Sequence, residues 1–150
     1  MPRRELKHPQ QVIDWLEEWG RVLEEPGLLT LIGSGGLLWQ AFENSITEPL
    51  PENSMDVDPV TEDEAVARLG YDAVIGSEFE LKHGWHVNLM PVAALDGLPK
   101  GWETRANRKT YGRLTVVVPS AKDLLAPKLR RGEPRDLKHA EWASTVGLVA

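Results

Sequence analysis

Asp56 and Asp58 stand one residue apart in the segment Ser54-Met55-Asp56-Val57-Asp58-Pro59. In an extended chain alternate residues share a face, so both carboxylates project together, roughly 6.5 Å apart along the backbone. Met55 and Val57 then turn toward the core. Two carboxylates on one face repel unless a cation lies between them. Mg²⁺ or Mn²⁺ suits such a pair, because these ions combine carboxylates with waters and substrate phosphates. The alternative is a solvated strand end, which Pro59 favours. Upstream, the apolar run Leu28-Leu29-Thr30-Leu31-Ile32 meets Gly33-Ser34-Gly35-Gly36. Glycine admits backbone conformations and close approaches that other residues resist. Free N–H groups at a helix start, together with the helix dipole, favour an anion, and the Ser34 hydroxyl adds a donor. A plain strand-to-helix turn is the alternative. Neither motif is specific alone; together they supply the two halves of a phosphoryl- or nucleotidyl-transfer site.

The elements that must position these groups follow from periodicity. Val12, Trp15, Leu16, Trp19, Val22 and Leu23 recur at helical spacing, which predicts a helix from Pro9 to Glu25 that Pro26-Gly27 stops. Leu28 to Ile32 reads as a buried strand, Gly33 to Gly36 as a turn, and Leu37 to Phe42 as the start of a helix. Asn44 to Asn53 is a loop, and Ser54 to Val60 alternates as a strand. Thr61 is placed to cap a third helix, with Glu64 at the capping-box position and Gly70 at its end. Tyr71 to Ile75 reads as a strand, Phe79 to Met90 as a hairpin around His83-Gly84, and Pro91 to Lys109 as irregular chain with a short helix. Leu114 to Val118 is rich in β-branched residues and reads as a strand. Helices are expected from Ala121 to Arg131 and from Arg135 to about Val146. The expected architecture is one domain over residues 1–150: an N-terminal helix at 9–25, a core at 28–118 and C-terminal helices within 120–147. Its class is α/β (α+β), a mixed sheet with flanking helices.

Composition narrows the chemistry further. A chain of 150 residues can bury a sizeable core. It has no cysteine, which excludes disulfides, thiolate metal sites and a cysteine nucleophile, and which fits a cytoplasmic setting. Met1 to Gln10 is polar and basic and does not read as a signal peptide. No apolar run approaches the roughly 20 residues of a membrane span. Residues 1–99 carry 6 Lys/Arg against 18 Asp/Glu, whereas residues 100–150 carry 11 against 5. The basic C-terminal third suits an anionic partner such as a nucleotide or RNA, or a partner protein, or else it consists of solvated helix faces. The tryptophans at 15, 19, 39, 85, 102 and 142 read as core anchors.

A strand, a Gly-Ser turn, a helix and then a strand bearing Asp-x-Asp resembles the nucleotidyltransferase superfamily of the polymerase-β type. Ile32-Gly33-Ser34 and Asp56-Val57-Asp58 carry the likeness. The chain looks closest to the small bacterial branch related to AbiEii-type toxins. Ser54 matches a Ser or Thr two residues before the first aspartate, and Lys128-Leu129, Gly132 and Arg135-Asp136 match that branch's closing pattern. The resemblance covers residues 28–139. It implies that Gly33 and Ser34 hold a nucleoside triphosphate, with Ser54 beside them, and that Asp56 and Asp58 bind Mg²⁺. Lys128 and Asp136 would line the substrate side. It further implies transfer of a nucleotidyl group to a hydroxyl on RNA, protein or a small molecule, with release of pyrophosphate, in a toxin–antitoxin or defence pair. Lys128 could instead extend into solvent, and Asp136 could cap the last helix.

The sequence departs from that pattern in three places. The Glu43–Asn53 loop is long, and Glu52 stands where an arginine is common. The family's third carboxylate, on a later strand, falls at Asn88. If Trp85, Val87 and Leu89 face the core, then His86, Asn88 and Met90 share the other face. An amide oxygen can ligate Mg²⁺ but cannot serve as a general base. His86 is the alternative base, or simply an exposed strand histidine. The competing reading is a catalytically weak nucleotide- or partner-binding module with the same fold.

Overall fold

A computed structural model describes residues 5–51 and 54–149; Glu52 lies outside them. The expected class is observed: a five-stranded mixed sheet flanked by helices, with strand order β3-β2-β1-β5-β4. The central strand β1 (Gly27–Ile32) pairs antiparallel with β2 (Asp56–Val60) and parallel with β5 (Leu114–Val118). β4 (Asn107–Tyr111) runs antiparallel to β5 at one edge, and the two-residue β3 (His86–Val87) runs parallel to β2 at the other.

Helix α1 (Pro9–Val22) buries Val12, Ile13, Trp15, Leu16 and Trp19 and stops three residues before the expected end. All six tryptophans are buried, as their reading as core anchors requires. The Gly33–Gly36 turn does not exist as such. Helix α2 begins at Gly33 itself and runs Gly33–Glu43, because the glycines let it lie directly against its neighbours. At Gly36 an added Cβ would sit 2.9 Å from the Leu31 carbonyl oxygen and 3.0 Å from Leu124. α2 is therefore a buried helix, packed against α1, the sheet and the helix over Ala121–Arg131.

Between β2 and β5 the expectations fail in specific ways. Helix α3 (Glu64–Tyr71) is capped at Asp63; the Thr61 hydroxyl instead accepts from the Asp63 N–H and donates to the Leu28 carbonyl. Tyr71 to Ile75 is not a strand. The expected hairpin arm is helix α4 (Glu78–His83), for which Ser77 is the N-cap and Gly84, at φ +86°, the left-handed C-cap. A glycine with positive φ ends a helix as readily as it turns a hairpin. The irregular stretch holds a 3₁₀ helix (Val92–Gly97) and the short α5 (Trp102–Arg105), and β4 then begins inside it at Asn107.

Two helices close the chain. α6 (Ala121–Arg131) is capped by Ser120, whose hydroxyl accepts from the Asp123 N–H; α7 (Pro134–Thr145) starts with Pro134 at its first position and a Glu133/Asp136 capping box. The apolar side expected of α6 is shifted. Leu124 and Leu125 are buried, but Leu129 is 54 % exposed and Lys128 is turned inward. Among the described residues no helix is long and apolar enough to cross a membrane.

Candidate functional site

The β1–α2 junction and β2 meet at the head of a cleft of about 490 Å³. Antiparallel pairing sets Ile32 opposite Asp58, so the residue after Ile32 faces the aspartate strand. Gly33 takes φ +69°, and a Cβ there would lie 2.6 Å from Asp58 Oδ2. Glycine is thus required on two grounds, the left-handed backbone and the close carboxylate. Asp56 and Asp58 share one face of β2 and both line the cleft, while Val57 between them is fully buried on the other face. Gly33, Ser34, Ser54 and Asn88 line the same cleft. An apolar wall comes from Met90, Ala94, Leu98, Leu124 and Pro127, and a cationic wall from Lys128, Arg131 and Arg135.

The two carboxylates sit where their charge is disfavoured. Burial, and then repulsion from Asp56, push the Asp58 carboxyl up to about 6, although the hydrogen bond from Asn88 Nδ2 to Asp58 Oδ1 (3.1 Å) works the other way. Burial also raises Asp56, against the attraction of His86, Arg135 and Lys128. Among the described residues no group of three or more His, Asp or Glu side chains could hold a metal ion. The donor set is therefore two carboxylates whose charged state burial disfavours, with repulsion from Asp56 adding to it at Asp58. Such a set fits a hard divalent cation whose remaining ligands are waters or a bound anion.

His86 sits opposite Asp56 across the β2–β3 pairing, with Nε2 3.8 Å from Asp56 Oδ2 and Nδ1 3.1 Å from Glu80 Oε2. It stands behind Asp56 and is not part of the cleft wall. Asn88 donates to Asp58 from the position expected for a third carboxylate. Ser54 is 6 % exposed, and its hydroxyl donates to the Asp56 carbonyl at 3.0 Å, bracing the aspartate strand.

On the far side, Lys128 is 7 % exposed; its Nζ donates to Ser34 Oγ at 3.2 Å and lies 3.2 Å from His139 Nδ1. Burial lowers the Lys128 pKa, and the Asp136 carboxylate 3.8 Å away partly restores it. Asp136 does not line the cleft. It is fully buried, accepts two hydrogen bonds from Arg131 (2.7 and 2.6 Å) and one from the Glu133 N–H, and the Arg131 contact pulls its pKa down to about 2. Sequence reasoning missed His139 and the cleft role of Arg131 and Arg135. A signal existed, since Asp136 and His139 are three apart and so share a face of α7.

The cleft thus gathers Gly33, Ser34, Ser54, Asp56, Asp58, Asn88 and Lys128, with His86 and Asp136 one layer behind. No protein-family model, curated protein or solved structure matches the chain.

Proposed function

We propose that the cleft binds a nucleoside triphosphate with Mg²⁺ or Mn²⁺ and transfers its nucleotidyl group to a hydroxyl acceptor, as the resemblance to polymerase-β-type nucleotidyltransferases implies. One observation carries the reading: Gly33-Ser34 and the Asp56/Asp58 pair, 22 to 25 residues apart in the sequence, line one cleft with a cationic wall beyond them. In the reaction an acceptor oxygen attacks the α-phosphorus, the bond to the β-phosphate oxygen breaks, and pyrophosphate leaves. The metal would neutralise phosphate charge and align the attacking and leaving oxygens. Asp56 and Asp58 would hold it, Gly33 and Ser34 would offer N–H and O–H donors to phosphate oxygens, and the cationic wall would balance the leaving group. The apolar wall suits the face of a nucleobase or another ring.

Asn88 favours a second reading, in which the cleft binds a metal-nucleotide but turns it over slowly. An amide cannot remove a proton from the acceptor. His86, held between Glu80 and Asp56, lies behind the cleft wall and so does not reach the acceptor directly.

The test is incubation with each radiolabelled NTP, Mg²⁺, and total RNA or total protein. Label should transfer, and Asp56→Ala and Asp58→Ala should each lower the rate by roughly 100-fold or more, the scale of losing an electrostatic stabiliser. Transfer undiminished in both variants would overturn the enzyme reading. Nucleotide binding without transfer would select the second one.

A further inference from the structure

His139 is fully buried, and its ring is joined to the cleft through Lys128. Ser34 Oγ, Lys128 Nζ and His139 Nδ1 form a triangle with sides of 3.2, 3.2 and 3.4 Å, drawn from α2, α6 and α7. An ammonium has three donors and no acceptor. Ser34 Oγ takes one, the Asp136 carboxylate lies 3.8 Å away, and Nδ1 takes another. The Nδ1 atom must then carry a lone pair, with the ring proton on Nε2. One lone pair cannot accept from both Lys128 and Ser34. With Lys128 holding it, the Ser34 hydrogen is left for a ligand oxygen in the cleft.

We propose that His139 is a positioning residue whose Nδ1 lone pair fixes the Lys128 ammonium against Ser34 and keeps both groups turned to the phosphate end of the cleft. This rests on the nucleotide reading of the same site. A buried lysine held by two fixed acceptors and a carboxylate 3.8 Å away has one direction. Without Nδ1 it would rotate toward Asp136, and Ser34 would lose the donor that orients its hydroxyl. An interaction of this kind, between a charged donor and a buried acceptor, has an effect large enough to measure.

The test uses the whole chain and inorganic tripolyphosphate with Mg²⁺, so that no base contact enters. His139→Phe keeps the ring volume and removes the acceptor; His139→Asn keeps an acceptor near Nδ1. The Phe variant should bind tripolyphosphate roughly 10-fold more weakly, and the Asn variant should recover most of that loss. In a Lys128→Met background, His139→Phe should weaken binding no further. Independently of any variant's folding, ¹⁵N shifts of wild-type His139 at neutral pH should show an unprotonated Nδ1 and a protonated Nε2. A protonated Nδ1 overturns the proposal, as does an equal loss from His139→Phe with and without Lys128. If wild type binds neither tripolyphosphate nor any NTP, the nucleotide reading falls instead, and the ¹⁵N result still decides whether Nδ1 accepts from Lys128.

Discussion

At the scale of single residues, the cleft holds charge that the fold disfavours. In the unfolded chain the Asp58 carboxyl titrates near 3.8, and in the folded chain near 6. Between those values the native state keeps a proton that the unfolded chain has lost, so the stability it confers declines as pH rises through about 6. Asparagine cannot ionise and can still accept from Asn88. Asp58→Asn should therefore be more stable than wild type at pH 7, by about 1–2 kcal/mol for a half-buried group. The gain should vanish near pH 4. Thermal melts of both proteins across pH 4–8 check this; a variant less stable at pH 7 would show that the carboxylate is not held at a cost. Gly33 cannot be replaced by a residue with a Cβ without disturbing Asp58, whose Oδ2 lies 2.6 Å from where that Cβ would sit.

At the scale of elements, α6 and α7 form a hairpin whose turn is pinned by Asp136. Its carboxylate accepts from Arg131 and from the Glu133 N–H and faces Lys128, so one buried charge ties the end of α6 to the start of α7. Its pKa is depressed to about 2, so its contribution is complete above about pH 4 and is lost as pH falls through 2. Asp136→Asn should cost about 2 kcal/mol at neutral pH, since it leaves Arg131 and Lys128 without their counter-charge, and this penalty should fade as pH falls through about 2. Urea titrations at pH 7 and pH 2 would measure it; an equal cost at both would mean that the amide cap, not the charge, is what matters. The same hairpin shows what sequence could reveal. Its boundaries were legible because Ser120, Gly132 and Pro134 are local signals at its ends. Its facing was not, because Lys128 turns inward only once Asp136 and His139 lie across from it. The Gly-Ser and Asp-x-Asp motifs were legible for a related reason: strand alternation fixes a face without any tertiary contact. β4 went unread because Asn107-Arg108-Lys109-Thr110 is an exposed edge with no apolar alternation, and α4 because Gly84 signals positive φ without saying which element it ends.

At the scale of the molecule, the charge asymmetry resolves into pairs and a remainder. Arg105 is held by Asp123 and Lys109 by Glu43, so part of the basic third is engaged within the fold. Lys128, Arg131 and Arg135 still present positive charge along one cleft of a protein whose net charge is −6. An anion approaching that cleft meets attraction from the wall and repulsion from Asp56, Asp58 and the body. A triphosphate alone should therefore bind poorly, and Mg²⁺ alone should bind poorly to two carboxylates. The two together cancel each other's penalty. A ligand at about 100 times its dissociation constant stabilises the native state by roughly 2.7 kcal/mol. In a domain of this size that corresponds to a rise in Tm of roughly 5–10 °C. The expected pattern is a clear rise with Mg²⁺ and NTP together, little change with either alone, and a smaller rise as salt screens the cationic wall. Asp56→Ala should abolish the joint effect. A rise as large with NTP alone would mean that the anion binds without the aspartates, and the two halves of the cleft would then not form one site.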